Sequence, residues 1–124
     1  MGRRLEEFRE FRERMNQKIL ASGHLGIKRF FALDHQAYQE GALSPKVKEL
    51  LGLVASLVLR CDDCITYHLV RCSEEGVTDE EFFETFNIAL VVGGSITIPH
   101  LRRAVEMLEE IKEARASGPG GTEQ

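Results

Sequence analysis

The sequence predicts an all-α fold, and three observations carry that prediction. Apolar residues recur at three- and four-residue spacing over long stretches. Helix start and stop signals separate those stretches. No segment alternates apolar and polar residues as a half-buried strand does.

The first helix is read from Arg3 to about Ala21, where Leu5, Phe8, Phe11, Met15, Ile19 and Leu20 form one stripe with Arg and Glu between them. Ser22 to Gly26 interrupts it. A second helix runs from Ile27 to about Gln39, and Glu40 to Pro45 is a loop. Ser44-Pro45 marks the next start: a hydroxyl at the N-cap and a proline where a missing N–H costs nothing. The third helix then runs from Pro45 to about Leu59. Its second half is apolar on every side, so burial all round is expected. After a break near Arg60, a fourth helix spans Asp62 to about Glu75 and stops at Gly76. Thr78-Asp79-Glu80-Glu81 is a capping box for a fifth helix, carried by Phe82, Phe83, Phe86, Ala89 and Leu90 to Gly93-Gly94. The last helix is clear from Leu101 to about Ala114. Its start is ambiguous, because Ser95 to Pro99 is β-branched and Pro99 is expected to bend a helix passing through it. Residues 1–116 thus form one domain of about six helices, and 117–124 a disordered tail.

With 124 residues, 43% apolar and 29% charged, the chain is long enough for one core. A formal net charge of −4 gives no electrostatic reason to expect nucleic acid or an anionic membrane as partner. The charged N-terminus has no apolar signal region, and Glu6 stands where a myristoylation signal needs Ser or Thr. The longest apolar run, Leu50 to Leu59, is too short to span a bilayer. The expected compartment is the cytoplasm. A six-helix domain has little room to surround an all-apolar helix, so the surface of the third helix, or of Ala89 to Ile96, is covered either by another copy or within one subunit.

All three cysteines fall between Cys61 and Cys72. Cys61, Cys64 and His68 share one face of a helix beginning near Cys61, with Cys72 two turns beyond Cys64. Shuffling produces a C-x-x-C in roughly 7% of cases and a His four residues later in about 0.2%, so chance is the weakest explanation. In a reducing compartment such a pair is redox-active or metal-binding. Unpaired N–H groups at a helix start stabilise a thiolate, and His68 can accept the proton of Cys64. The second thiol then resolves a sulfenic acid or mixed disulfide. Asp62 and Asp63, between the thiols, oppose thiolate formation if they lie close but also cap the first turn, so their net sign is open.

Glu49, eleven residues, Cys61-x-x-Cys64-x-x-x-His68, then Gly76-Val77-Thr78-x-x-Glu81 resembles the alkylhydroperoxidase D-like branch of the carboxymuconolactone decarboxylase family. The resemblance covers about Leu43 to Leu108. It implies an all-helical fold assembled as a trimer or hexamer, running a peroxidase or disulfide-reductase cycle without flavin, haem or other cofactor. It makes Cys64 the peroxide-reacting thiol, Cys61 the proton donor and resolving thiol, and His68 with Glu49 a proton relay. It also implies an external dithiol donor of lipoyl or thioredoxin type, with a peroxiredoxin as a further candidate partner. Two positions depart from the pattern: Asp63 stands where that branch often has His, and Cys72 where it commonly has Ala. The lactone decarboxylases proper lack the thiol pair. By the general rule for C-x-x-C motifs, Cys61 is the more acidic thiol, so attack on a disulfide could start there.

The rival chemistry is zinc held by Cys61, Cys64 and His68, completed by Cys72 or Glu49. Against it, there is no second ligand pair, and ligands on one helix splay apart. A third reading keeps His68 and Glu49 for lactone or other acid–base chemistry with the thiols incidental. Cys72 alone reads as a buried core residue. His24 and His35 read as surface residues, His100 as packing a bend or reaching the site, and Tyr67 as core or interface packing.

Overall fold

The computed structural model describes residues 3–117, and among these all regular structure is helical. Six α-helices follow in order: α1 (Arg3–Ala21), α2 (Leu25–Ala37), α3 (Pro45–Leu59), α4 (Asp62–Glu74), α5 (Asp79–Gly93) and α6 (Ile98–Ala116). A short 3₁₀ turn, Ser95–Thr97, precedes α6. Of the expected disordered tail only Ser117 lies within the described residues.

The caps follow the chemistry of the cap residues. Ser44 accepts a hydrogen bond from the Val47 N–H at the start of α3. Thr78 and Glu81 exchange side-chain and backbone bonds in a complete capping box before α5. α2 begins two residues earlier than its apolar pattern suggested, because His24 Nδ1 accepts the Ile27 N–H and so serves as N-cap. α6 begins at Ile98, so Pro99 falls at its start and not inside a helix passing through it. Proline sits in the first turn of the helix, where its missing N–H has no partner to lose.

α3 packs against α4 and α5, and α4 against α6. Leu53, Leu57, Ile65, Leu69, Cys72, Phe82, Phe86, Ala89, Ala104, Leu108 and Ile111 fill the space between them. α1 is pinned to α6 by the buried Leu5 and by ion pairs from Arg4 to Glu106 and Glu110. The tight reversal between α3 and α4 uses Arg60 in the left-handed region, φ 61°. That conformation is strained for a residue with a Cβ, and it lets α4 return along α3. The return is what brings Glu49 to His68.

The expectation that α3 is buried all round does not hold within the chain. Leu51 and Leu59 are 55% and 75% exposed, because only one side of α3 meets α4 and α5. Val91, Val92 and Ile96 are likewise exposed, and no residue of α2 is buried, with Phe30 and Leu33 open to solvent. Among the described residues, nothing within the subunit covers these surfaces.

Candidate active site: a thiol pair beside a buried carboxylate and histidine

Cys61 is the N-cap of α4, and its Sγ accepts the backbone N–H of Cys64 at 3.2 Å. The two cysteines are joined as a disulfide, with Cα atoms 5.3 Å apart. Cys64 is exposed and Cys61 half-buried. One turn further along α4, His68 is buried, and its Nδ1 lies 2.8 Å from Oε1 of Glu49 on α3. Glu49 is 1% exposed. Its second oxygen, Oε2, is 3.6 Å from Nε of Arg71, which also pairs with Glu74 and Glu75. A carboxylate out of water is thus held between a ring nitrogen and a guanidinium, as burial of that charge requires.

Gly52 makes the His68 position possible. A Cβ at this place on α3 would stand 2.6 Å from Cε1, 2.7 Å from Nε2 and 2.9 Å from Nδ1 of the ring. Only glycine lets the imidazole lie against the α3 backbone beside Glu49. Two tyrosines enclose the other sides of the ring, Tyr38 with its centroid at 5.5 Å and Tyr67 edge-on at 5.2 Å. The Arg12 guanidinium stacks on Tyr67, 4.3 Å from its centroid. Burial, with the Glu49 carboxylate nearby, raises both tyrosine hydroxyls above their ordinary range.

A cleft of about 420 Å³ opens onto this group between α1 and α4. Phe8, Phe11, Met15 and Ile19 of α1 form its apolar wall, and Cys64, His68, Tyr38 and Tyr67 face them. An adjoining cleft of about 530 Å³ reaches Glu49 and Arg71 from the same side.

Cys61, Cys64, His68 and Glu49, singled out in the sequence, are therefore brought together. Cys72 is fully buried, and burial followed by the nearby Glu49 charge pushes its thiol up to about 12, so it is a core residue. Among the described residues no three His, Cys, Asp or Glu side chains are arranged to hold a metal ion. In this structure the side chains named for the zinc alternative are otherwise engaged: the two sulfurs bond each other and His68 Nδ1 turns to Glu49. Tyr67 packs edge-on against the histidine. His100 reaches the start of α4, where its Nδ1 meets Asp62 Oδ1 at 2.8 Å. His24 and His35 are exposed, as expected.

Sequence reasoning missed Gly52, Tyr38, Arg71 and Arg12. Gly52 carried a signal, since an isolated glycine inside an apolar helix usually marks close packing. Arg71 lies three residues after His68 on the same helix face. Tyr38 and Arg12 had none, because nothing local says which way α1 and α2 lie.

No helix among the described residues is long and apolar enough to cross a membrane. The sequence profile of the carboxymuconolactone decarboxylase family matches residues 27–107. Two crystal structures from Thermotoga maritima are each 61% identical to the chain, with TM-scores of 0.88 and 0.86. They cover 91% and 90% of it and 99% and 95% of their own chains. One of them is a "carboxymuconolactone decarboxylase family protein possibly involved in antioxidative response". A Legionella pneumophila protein of the same family is 26% identical over 91% of this chain and 97% of its own, with a TM-score of 0.73. An uncharacterized Paracoccus denitrificans protein encoded in a cox locus is 29% identical over 85 residues, 68% of this chain and 77% of its own length. With the profile spanning more than half of the chain and including Glu49, Cys61, Cys64 and His68, the chain belongs to the carboxymuconolactone decarboxylase family.

Proposed function

We propose that the protein is a thiol-dependent oxidoreductase that reduces peroxides or disulfides through Cys61 and Cys64, as in the alkylhydroperoxidase D-like branch of its family. The observation that carries this reading is the Cys61–Cys64 disulfide at the start of α4, with Cys64 and His68 lining one cleft and Glu49 behind the histidine. The Thermotoga maritima relative linked by its description to an antioxidative response supports it.

In the reduced protein, His68 takes the thiol proton of Cys64. Its Nδ1–H donates to Glu49, so Nε2 is the free base. The Cys64 thiolate attacks the outer oxygen of a hydroperoxide, the O–O bond breaks, and the alkoxide leaves as alcohol with the proton from His68. Cys64 is left as sulfenic acid. The Cys61 thiol, whose sulfur is held by the Cys64 N–H, attacks it, and the Cys61 proton leaves with the displaced hydroxide as water, giving the disulfide. An external dithiol, lipoyl or thioredoxin-type, then supplies two electrons and two protons and becomes a disulfide itself; a peroxiredoxin is a further candidate partner. The exposure of Cys64 in the cleft, against the half-buried Cys61, supports its role as the attacking thiol.

Acid–base chemistry with incidental thiols is the second reading, favoured by the buried Glu49–His68 pair itself. The test is one equivalent of an organic hydroperoxide on reduced protein, followed by peptide mass spectrometry. Rapid loss of two hydrogens at Cys61–Cys64, absent in Cys64→Ser, is expected. Unreactive thiols, or a family reaction that survives Cys64→Ser, favour the second reading instead.

The protein acts as a homo-oligomer, a trimer or hexamer, in this proposal. Exposed Phe30 and Leu33 on α2, Leu59 on α3 and Val91 and Val92 on α5 support it. Light scattering at micromolar concentration distinguishes these states from a monomer.

A further inference from the structure

The two aspartates inside the thiol motif face different ways. Asp63 lines the cleft with Cys64, opposite α1. Asp62 is not part of that lining. Its carboxylate is engaged by α6, Oδ1 with His100 Nδ1 at 2.8 Å and Oδ2 with Arg103 at 3.6 Å. The contact spans 38 residues of sequence and exists because α6 starts at Ile98, which places His100 in its first turn.

We propose that His100 is a positioning residue for the thiol pair: its hydrogen bond holds the Asp62 carboxylate on the α6 side of α4, turned from the cleft into which Cys64 opens. The inference rests on the redox reading of Cys61 and Cys64. Asp62 is the first residue of α4, next to Cys61, whose sulfur holds the Cys64 N–H. A carboxylate is a better acceptor for helix-start N–H groups than a thiol. Released from His100, Asp62 competes for those N–H groups and brings a negative charge beside the sulfurs, and both effects disfavour thiolate. The other groups facing the pair are Asp63 and His68 on α4, Arg103 on α6, and Arg12, Asp34 and Tyr38 across the cleft. The His100 substitutions alter none of these side chains chemically. The role of His100 is therefore read through Asp62 and vanishes without it. Arg103 cannot replace it, since its guanidinium is more exposed and stands farther from the carboxylate.

The test measures iodoacetamide alkylation of each thiol in the reduced full-length protein across pH, by peptide mass spectrometry. In His100→Ala, thiolate formation is expected to move up by about 0.3–0.5 pH unit, which slows alkylation at neutral pH about two- to threefold. His100→Phe keeps a ring without a donor and should behave the same way, which covers the case in which the alanine variant is unstable. His100→Gln retains an N–H donor and should stay near the wild-type profile. In an Asp62→Asn background, His100→Ala should have no effect. An unchanged profile in both His100→Ala and His100→Phe, or an equal shift with and without Asp62, overturns the proposal. Failure of the redox reading is seen separately, as wild-type thiols that hydroperoxide does not oxidise.

Discussion

Glu49 and His68 stand 19 residues apart in the chain and meet at 2.8 Å in the fold, with the carboxylate almost wholly out of water. A buried carboxylate is stable only with its partners, and a histidine so held has one defined tautomer. With the carboxylate accepting from Nδ1, Nε2 is the nitrogen that the proposed mechanism uses for protons.

Replacing Glu49 tests that pairing. Glu49→Gln keeps the shape but can present its N–H₂ to the ring, so the hydroperoxide reaction should fall on the order of 10²-fold with a modest stability loss. Glu49→Ala leaves His68 and Arg71 facing an empty buried space, and urea denaturation should show a loss of about 1–3 kcal/mol. Unchanged rates in both variants would remove Glu49 from the relay.

Gly52→Ala isolates the geometry from the charge. The new Cβ collides with the imidazole ring, so the ring must leave its place against α3. A stability cost of about 1–3 kcal/mol and a rate as low as that of Glu49→Gln are expected, while circular dichroism stays helical. Wild-type kinetics in this variant would show that the ring position is not required.

Cys72 provides a prediction about pH. Its thiol is raised from 9.0 to about 12, first by burial and then by the Glu49 charge. In the unfolded chain the thiol ionises near its ordinary value, while the fold keeps it protonated. The stability this contributes is complete below the unfolded pKa and is lost as pH rises from there through about 12. Denaturation midpoints should therefore fall more steeply with pH above 9 in wild type than in Cys72→Ala. The same burial predicts that iodoacetamide leaves Cys72 unlabelled in the native, reduced protein.

The apolar wall of the cleft bears on substrate size. Phe8, Phe11 and Met15 all come from α1, which lies outside the part of the chain that matches the family profile. Phe11→Ala should lower kcat/KM for a bulky organic hydroperoxide about tenfold, the scale of one lost apolar contact, and leave hydrogen peroxide reduction nearly untouched. An equal drop for both peroxides would mean that α1 shapes the thiol site itself and not its specificity.

The sequence by itself determined the helices and singled out the candidate reacting groups. Both are local: caps such as Ser44 and Thr78 act within four residues, and the Cys61–Cys64–His68 face is a consequence of helical spacing. Glu49 was legible only through its separation from Cys61, which is that of a helix, a turn and a return. The tertiary structure decided the rest. Tyr38, Arg12 and the α1 wall reach the cleft only by how α1 and α2 lie on α4, and no periodicity records that. Gly52 acquires its meaning only where the His68 ring fills the space left by its missing side chain. What covers α3 is not legible for the same reason: an apolar surface says that something covers it, but which element does so depends on packing geometry. His100 shows the difference most plainly, since its hydrogen bond to Asp62 depends on α6 beginning at Ile98, where proline could be accommodated without losing a hydrogen bond.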